Sequence, residues 1–243
     1  SGGFLAGVLA LLFAAFIIWI VAPYPNIMAG KGNTRFVAGE NFLAAGRTCE
    51  ATGMYVAALE WHTTFQPQTI ARLDQSMPRA PGEIISIEDA MHWIDVTGSA
   101  KIESDPVVAI ADTPSMRFSG PPTQNVSAMI TSSPIEVQPN TLYELSGWMK
   151  SAAIYGTGQG MVTVFEDDGD WGSGRSIDIQ SMDETHGWQP FRETLTTLAT
   201  TRRLFVKTGL YKTFGTLWVD GIRLVQVDAR AVRSSSSLPP CNP

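Results

Sequence analysis

Residues Phe4 to Ala22 (FLAGVLALLFAAFIIWIVA) form an apolar run of nineteen residues without a charge. As a helix rising 1.5 Å per residue it would span about 28 Å, close to the roughly 30 Å hydrocarbon core of a bilayer. No other stretch of the chain comes near it, so the chain is expected to cross a membrane once, with an anchor over residues 1–25. A secretory signal has a shorter apolar core of about 7–15 residues and a small-x-small cleavage site. A cut after Ala22 would place Ile20 at the −3 position and Pro23 just beyond, both unfavourable. Phe4, Leu12, Phe16 and Trp19 are therefore read as anchor residues. Trp19 and Tyr24 suit an interfacial aromatic belt, and Pro23 and Pro25 are expected to end the helix. The run holds no imidazole, carboxylate or amine, which excludes haem ligation through histidine and proton relay. Gly7 with Ala6, Ala10, Ala14 and Ala15 permits close packing against other membrane helices.

Charge bounds the rest of the chain. Residues 84–228 carry ten basic and eighteen acidic side chains, a net of −8, without basic clusters. That pattern excludes nucleic acid and a polybasic membrane-surface role. Lys31, Arg35 and Arg47 come soon after the run, which by the positive-inside rule places the large domain in the cytoplasm; long downstream domains, however, cross largely regardless of charge. The expected location is the bacterial cytoplasmic membrane with the large domain outside the cytoplasm. Cys49 and Cys241 either pair in an oxidising compartment or leave Cys241 free in the tail, and no CxxC or Cys/His metal spacing is present.

Residues 26–83 read as a connector. PYPNIMAGKGNTR is punctuated by Pro, Asn and Gly like a series of turns. Met54, Ala57, Ala58, Trp61 and Phe65 then recur at helical spacing, predicting an amphipathic helix near 49–65, with a second short helix from Pro67 through Leu73. Met54, Trp61 and Phe65 either pack against the neighbouring domain or dock on another protein or the bilayer surface.

From Ile84 the texture becomes short alternating runs broken by turns. In TLYELSGWMK, Leu142, Glu144, Ser146 and Trp148 alternate with Tyr143, Leu145, Gly147 and Met149, the period of two of a half-buried strand. Eight or nine such strands without helical patterning imply an antiparallel jelly-roll β-sandwich over residues 84–228, with a Ser/Pro-rich tail at 229–243.

Several of these runs carry a family resemblance. SIEDAMHW (86–93), GSAKIE with SMRFSG, PNTLYELSGWMKS (139–151), GWQPFRETLTTL (187–198) and GTLWVDGIRLVQV (215–227) stand in the order of the strand motifs of jelly-roll carbohydrate-binding modules found beside bacterial polysaccharide hydrolases. Residues 84–228 resemble that family. The resemblance implies a non-catalytic domain and a structural calcium near Glu88 and Asp220. The alternative for Asp220 is hydrogen bonding to backbone amides at a strand end, and two carboxylates fall short of the 6–8 oxygens calcium takes.

Sugar binding needs exposed aromatic faces with polar groups around them. Trp171, Tyr155 and Tyr211 are the candidates, with Trp148 and Phe214 also considered; Trp148, Trp188 and Trp218 also read as core residues of strands. Trp171 comes just after the acidic turn Glu166-Asp167-Asp168-Gly169-Asp170, read as a solvated hairpin tip. His62, His92 and His186 are scattered, and no nucleophile triad, HExxH, phosphate-binding loop or dinucleotide glycine pattern is present, so no enzyme is expected. Two roles remain. One is an accessory subunit of a larger bacterial membrane complex, photosynthetic or respiratory, with integral membrane subunits as partners and the sandwich docked on their extramembrane surfaces. The other is a membrane-tethered protein that binds cell-wall or extracellular polysaccharide.

Overall fold

The computed structural model describes residues 24–61, 63–76, 82–86, 91–110, 113–168 and 174–227. The chain divides between residues 77 and 78 into a helical unit and a β unit. Among the described residues no helix is long and apolar enough to cross a membrane. The expected anchor, with Phe4, Leu12, Phe16 and Trp19, lies outside the described residues.

The helical unit holds α1 (Tyr24–Ala44), α2 (Thr48–Glu60) and α3 (Gln66–Ser76). The segment whose Pro, Asn and Gly read as turns is thus the body of a 21-residue helix. Pro25 stands in the first turn of α1, where a missing N–H costs no hydrogen bond, and the anchor helix that Pro23 and Pro25 are expected to end lies outside the described residues. The glycines that lower helix propensity serve packing instead. A Cβ on Gly32 would lie 2.6 Å from the backbone nitrogen of Thr63, and one on Gly39 would lie 2.5 Å from the Tyr55 ring. Tyr55 is fully buried there, with Phe36 5.8 Å away, centroid to centroid, and Phe36 in turn 5.0 Å from Phe65.

Polar groups finish the unit. The Tyr55 hydroxyl donates to Glu40 Oε1 at 2.6 Å, and Arg72 donates from Nε to Oε1 at 2.8 Å and from Nη2 to Oε2 at 2.9 Å, so one carboxylate joins all three helices. Asn33 Oδ1 accepts from the Thr63 hydroxyl and from the Thr64 amide and hydroxyl, pinning the turn before α3 to α1. The buried side of α2 is Ala51, Thr52, Tyr55, Ala58 and Leu59. Of the expected stripe, Met54 is half-buried beside that face, and Trp61, just past the helix, is half-exposed under Lys31 Nζ at 4.4 Å and Arg35 Cζ at 5.0 Å. Cys49 is disulfide-bonded, and Cys241 is the one other cysteine in the sequence.

Ten strands are described in the β unit: β1 (Gly82–Ser86), β2 (Met91–Val96), β3 (Lys101–Asp105), β4 (Ser115–Gly120), β5 (Val126–Ser132), β6 (Ile135–Glu136), β7 (Leu142–Asp167), β8 (Ser176–Met182), β9 (Glu184–Thr196) and β10 (Arg203–Val227). All their pairings are antiparallel. The organising element is the pair β7–β10, which runs antiparallel from Arg203↔Asp167 to Gln226↔Tyr143. In sequence each of these two strands reads as two short ones separated by a turn. Pairing instead continues through the intervening Gly-rich stretches, and register shifts at Tyr211/Thr213 and Phe214/Thr216 take up the bend. Gly215, at φ +110°, occupies a conformation closed to L side chains, and a Cβ there would lie 2.2 Å from Ala153 O.

The bend makes two layers from one hairpin. In the first sheet the order is β2-β5-β10-β7-β8, using the start of β10 and the end of β7. In the second it is β3-β4-β10-β7-β9, with β1 beside the final stretch of β10. Val162, Val164, Leu204, Val206 and Leu210 of the first sheet share one core with Phe118, Leu145, Met149, Leu217 and Val219 of the second. Gly160 sits where the layers press together, since a Cβ on it would lie 2.8 Å from Leu217 Cδ1. The described residues form the all-β sandwich expected from residue 84 onward.

Candidate ligand-binding face

Strand alternation sorts the long hairpin into an inner and an outer side. Because Leu204, Val206 and Leu210 point into the core, Phe205, Lys207, Gly209 and Tyr211 point away from it. On β7 the inward Val162 and Val164 likewise turn Met161, Thr163 and Phe165 outward. Residues paired across the ladder share a side, so the outer face reads Phe165/Phe205, Thr163/Lys207, Met161/Gly209, Gln159/Tyr211 and, past the bend, Tyr155/Phe214. Two of these pairs are in ring contact, Phe165 with Phe205 at 6.4 Å and Tyr155 with Phe214 at 6.2 Å between centroids. From Phe165 to Gln159, before the bend, the strand advances by about 20 Å at about 3.4 Å per residue.

The two ends of this strip differ in exposure. Phe205 is 3% exposed, whereas Tyr155 is 51% and Tyr211 42% exposed. Those two are the exposed aromatic rings among the residues whose side chains are described, and both are sequence candidates. Their surroundings are polar and held in place. Lys212 Nζ stands 5.1 Å from the Tyr211 ring centroid. Asn125 Nδ2 donates to the Thr157 hydroxyl, which donates to Lys212 O at 3.2 Å, and the Thr213 hydroxyl donates to Tyr155 O at 2.9 Å. A Cβ on Gly158 would lie 1.8 Å from Tyr211 O, so the two backbones approach here as only glycine allows. Further along, the Thr163 hydroxyl donates to Asp178 Oδ1 at 3.3 Å beside Lys207.

The arrangement offers flat apolar rings interspersed with hydroxyl, amide and ammonium groups along one paired hairpin. Groups of these kinds are the ones that can stack on and hydrogen-bond to a surface of alternating apolar and hydroxylated character.

Trp171 lies outside the described residues, but the base of its loop is defined. Glu166 and Asp167, read from sequence as part of a solvated tip, belong to β7 and are 1% and 0% exposed. Arg175 Nη2 bonds Glu166 Oε1 at 2.9 Å and Arg203 bonds Asp167, so the acidic pair is neutralised inside the fold. No single-strand pattern carries this, because both arginines come from other strands or loops.

The remaining tryptophans part company. Trp148 and Trp188 are buried, and Trp218, with a core reading in sequence, is half-exposed on the outer side of the second sheet. Asp220 is buried and its Oδ2 accepts the Ile110 amide at 2.8 Å, the backbone role that is its alternative reading. Glu88 lies outside the described residues, and among them no group of three or more His, Cys, Asp or Glu side chains is placed to hold a metal.

No family model matches the sequence, and no curated protein matches it. Solved structures similar in fold include the first xylan-binding family-22 carbohydrate-binding module of Paenibacillus barcinonensis Xyn10C, at 15% identity and a TM-score of 0.43, covering 62% of this chain and 99% of that one. A family-16 carbohydrate-binding module is 19% identical with a TM-score of 0.39, over 53% and 87% of the two chains. The enzymatically active domain of tailspike protein 4 from bacteriophage CBA120 is 12% identical with a TM-score of 0.42, over 62% of this chain and 20% of that one. Jelly-roll carbohydrate-binding modules, the family the sequence resembles, thus recur among these neighbours, while the two-sheet architecture stands on the strand register.

Proposed function

We propose that the β unit binds an extended polysaccharide along the outer face of the β7–β10 hairpin, without cleaving it. The observation that carries this reading is the placement of Tyr155 and Tyr211, distant in sequence, on one outward side of a continuous ribbon. Tyr155 and Tyr211 stack on the apolar faces of successive sugars, and Gln159, Thr157, Asn125 and Lys212 serve their hydroxyls. The apolar run tethers this unit to the bacterial cytoplasmic membrane, with the sandwich outside the cytoplasm. The disulfide at Cys49 supports that side, since such bonds persist in oxidising compartments.

Native gels cast with xylan and other soluble neutral polysaccharides test the reading. Retardation in at least one gel is expected, and the Tyr155→Ala/Tyr211→Ala variant loses it, each ring being worth at least about 1 kcal/mol if it anchors the ligand. Equal mobility of the native protein in every gel would overturn the proposal. The protein released from membranes by mild detergent is expected to migrate alone. Co-migration with a fixed set of integral subunits would instead identify an assembly component, the role in which the anchor packs among other helices.

A further inference from the structure

The end of the helical unit that follows directly on the apolar run gathers two cations at one ring. Tyr24, where α1 begins, is two residues past Ala22, and Lys31 is seven residues further on. Two residues at full extension and seven in a helix keep the Lys31 backbone within about 18 Å of Ala22. α2 runs back toward that end of α1: Tyr55 packs at Gly39, Trp61 stands beside Arg35 and Lys31, and Thr63 lies against Gly32. The Cα–Cβ bonds of a helix tilt toward its N-terminus, so Lys31 and Arg35, about one turn apart, lean toward the end where the apolar run joins α1.

Lys31 Nζ lies 4.4 Å and Arg35 Cζ 5.0 Å from the Trp61 ring centroid, and the ring is half-exposed. Lys31 is exposed and Arg35 half-buried, and neither is hydrogen-bonded or ion-paired to another described residue. The other two cations of α1–α3 and their turns are matched, Arg47 by Glu50 and Arg72 by Glu40. The open pair is thus the pair nearest the apolar run. Two like charges held at one ring repel each other, and an anion between them turns that repulsion into attraction. The Trp61 indole N–H, which meets no acceptor among the described residues, adds a further donor. A soluble anion or an acidic polypeptide gives no reason for the open cations to sit at this end. The phosphate of an anionic lipid does, because Trp, Lys and Arg beside a membrane span stand at headgroup level, where anionic lipid attracts them.

We propose that Lys31, Arg35 and Trp61 bind the headgroup phosphate of an anionic phospholipid and fix this end of the helical unit on the bilayer surface. The inference rests on the apolar run tethering the chain, and its test separates the two. In ¹⁵N spectra of the full-length protein in phosphatidylcholine bicelles, the Trp61 indole N–H signal is identified by its loss in Trp61→Phe. Phosphatidylglycerol mixed into the bicelles is expected to shift that signal saturably, while inorganic phosphate at the same concentration does not. Lys31→Gln, a change at an exposed position, weakens the response on the order of tenfold, the worth of one charge-assisted hydrogen bond. Arg35→Gln acts in the same direction, and Arg47→Gln, at a cation already paired with Glu50 past the far end of α1, leaves the response unchanged. A protein that does not diffuse with the bicelles would overturn the tether and the lipid site together. One that diffuses with them yet shows no shift with phosphatidylglycerol, or full affinity in Lys31→Gln, would overturn the lipid site alone. So would an equal loss in Arg47→Gln, which would mean diffuse attraction to a charged surface, or an equal shift by inorganic phosphate, which would mean a simple anion site.

Discussion

The helical unit and the sandwich bury their aromatic rings in opposite ways. In the helical unit the backbone yields to the ring: Gly39 has no Cβ because Tyr55 occupies that space, and Ala51 and Ala58 share the buried side of α2 with it. In the sandwich the rings yield to each other and to branched aliphatic chains, as Phe118 does among Val, Ile and Leu side chains from both sheets. The first arrangement concentrates stability in a few close approaches and one shared carboxylate. The second spreads it over a core that two long strands stitch together. The two exposed aromatic rings, Tyr155 and Tyr211, stand on the second.

The largest effect is expected from emptying the distributed core. Phe118 is fully buried, so Phe118→Ala removes a ring and leaves a cavity, costing about 3–5 kcal/mol. Amide hydrogen exchange by residue checks it: protection falls throughout the β strands while that of α1–α3 holds. A fall in both units together would mean that they unfold as one, and the contrast would dissolve.

The converse substitution is smaller. Gly39→Ala adds one methyl carbon where 2.5 Å separates it from the Tyr55 ring, forcing the ring or helix aside at about 1–3 kcal/mol. Exchange is expected to quicken in α1 and α2 alone. Gly30, with nothing within 4 Å of its Cβ position, is the control: Gly30→Ala is expected to stabilise α1 slightly, by up to about 1 kcal/mol, through helix propensity alone.

Acid separates the units by a smaller margin. Glu40 titrates below its ordinary value because Arg72 and then Tyr55 donate hydrogen bonds to its carboxylate. A lowered folded-state pKa contributes stability above the ordinary carboxylate range, near pH 4.3, and loses it as pH falls through the lowered value. Tyr55 is shifted upward, first by burial and then by Glu40, so its contribution is present below about pH 10 and is lost at higher pH. The Glu40 side chain is 35% exposed, and solvent screening keeps its share below about 1 kcal/mol. Thermal melts monitored at helix-specific probes are expected to drop below pH 4, and Glu40→Gln to remove that drop.

How much of this is legible in the sequence varies with the range of the interaction that decides it. The β texture from residue 84 and the alternation in TLYELSGWMK are local, and both reappear in the strands. The continuity of β7 and β10 is not local. IYGTGQG and LYKTFGT look like turns singly, and only their pairing with each other keeps them extended. The same holds for α1, whose glycines argue against a helix until Tyr55 and Thr63 are seen to need the space. Tyr155 and Tyr211 stand out in the sequence as aromatics beside glycine-rich stretches; that they share a face depends on the bend. Trp218 reads as core because strand tryptophans usually are, and the cations that flank its ring, Arg117 and Lys150, come from two other strands, 101 and 68 residues back in sequence.

The smallest change in stability is expected where the ring faces out. Tyr155 is 51% exposed and contacts Phe214 on one edge, so Tyr155→Ala forfeits little burial and stays within about 0.5 kcal/mol of the native protein. Its effect on polysaccharide retention is expected to be large, since a stacking ring at a binding surface is worth at least about 1 kcal/mol. Tyr55→Phe gives the matching contrast: it removes only the hydroxyl that donates to Glu40, destabilises the helical unit by about 1–2 kcal/mol, and leaves retention unchanged. Chemical denaturation and gel retardation on the two variants together read the comparison directly. A stable Tyr155→Ala protein with lost retention assigns the outward rings to the ligand. A destabilised one with full retention would mean that Tyr155 and Phe214 clamp the hairpin bend, and that the strip is structural from end to end.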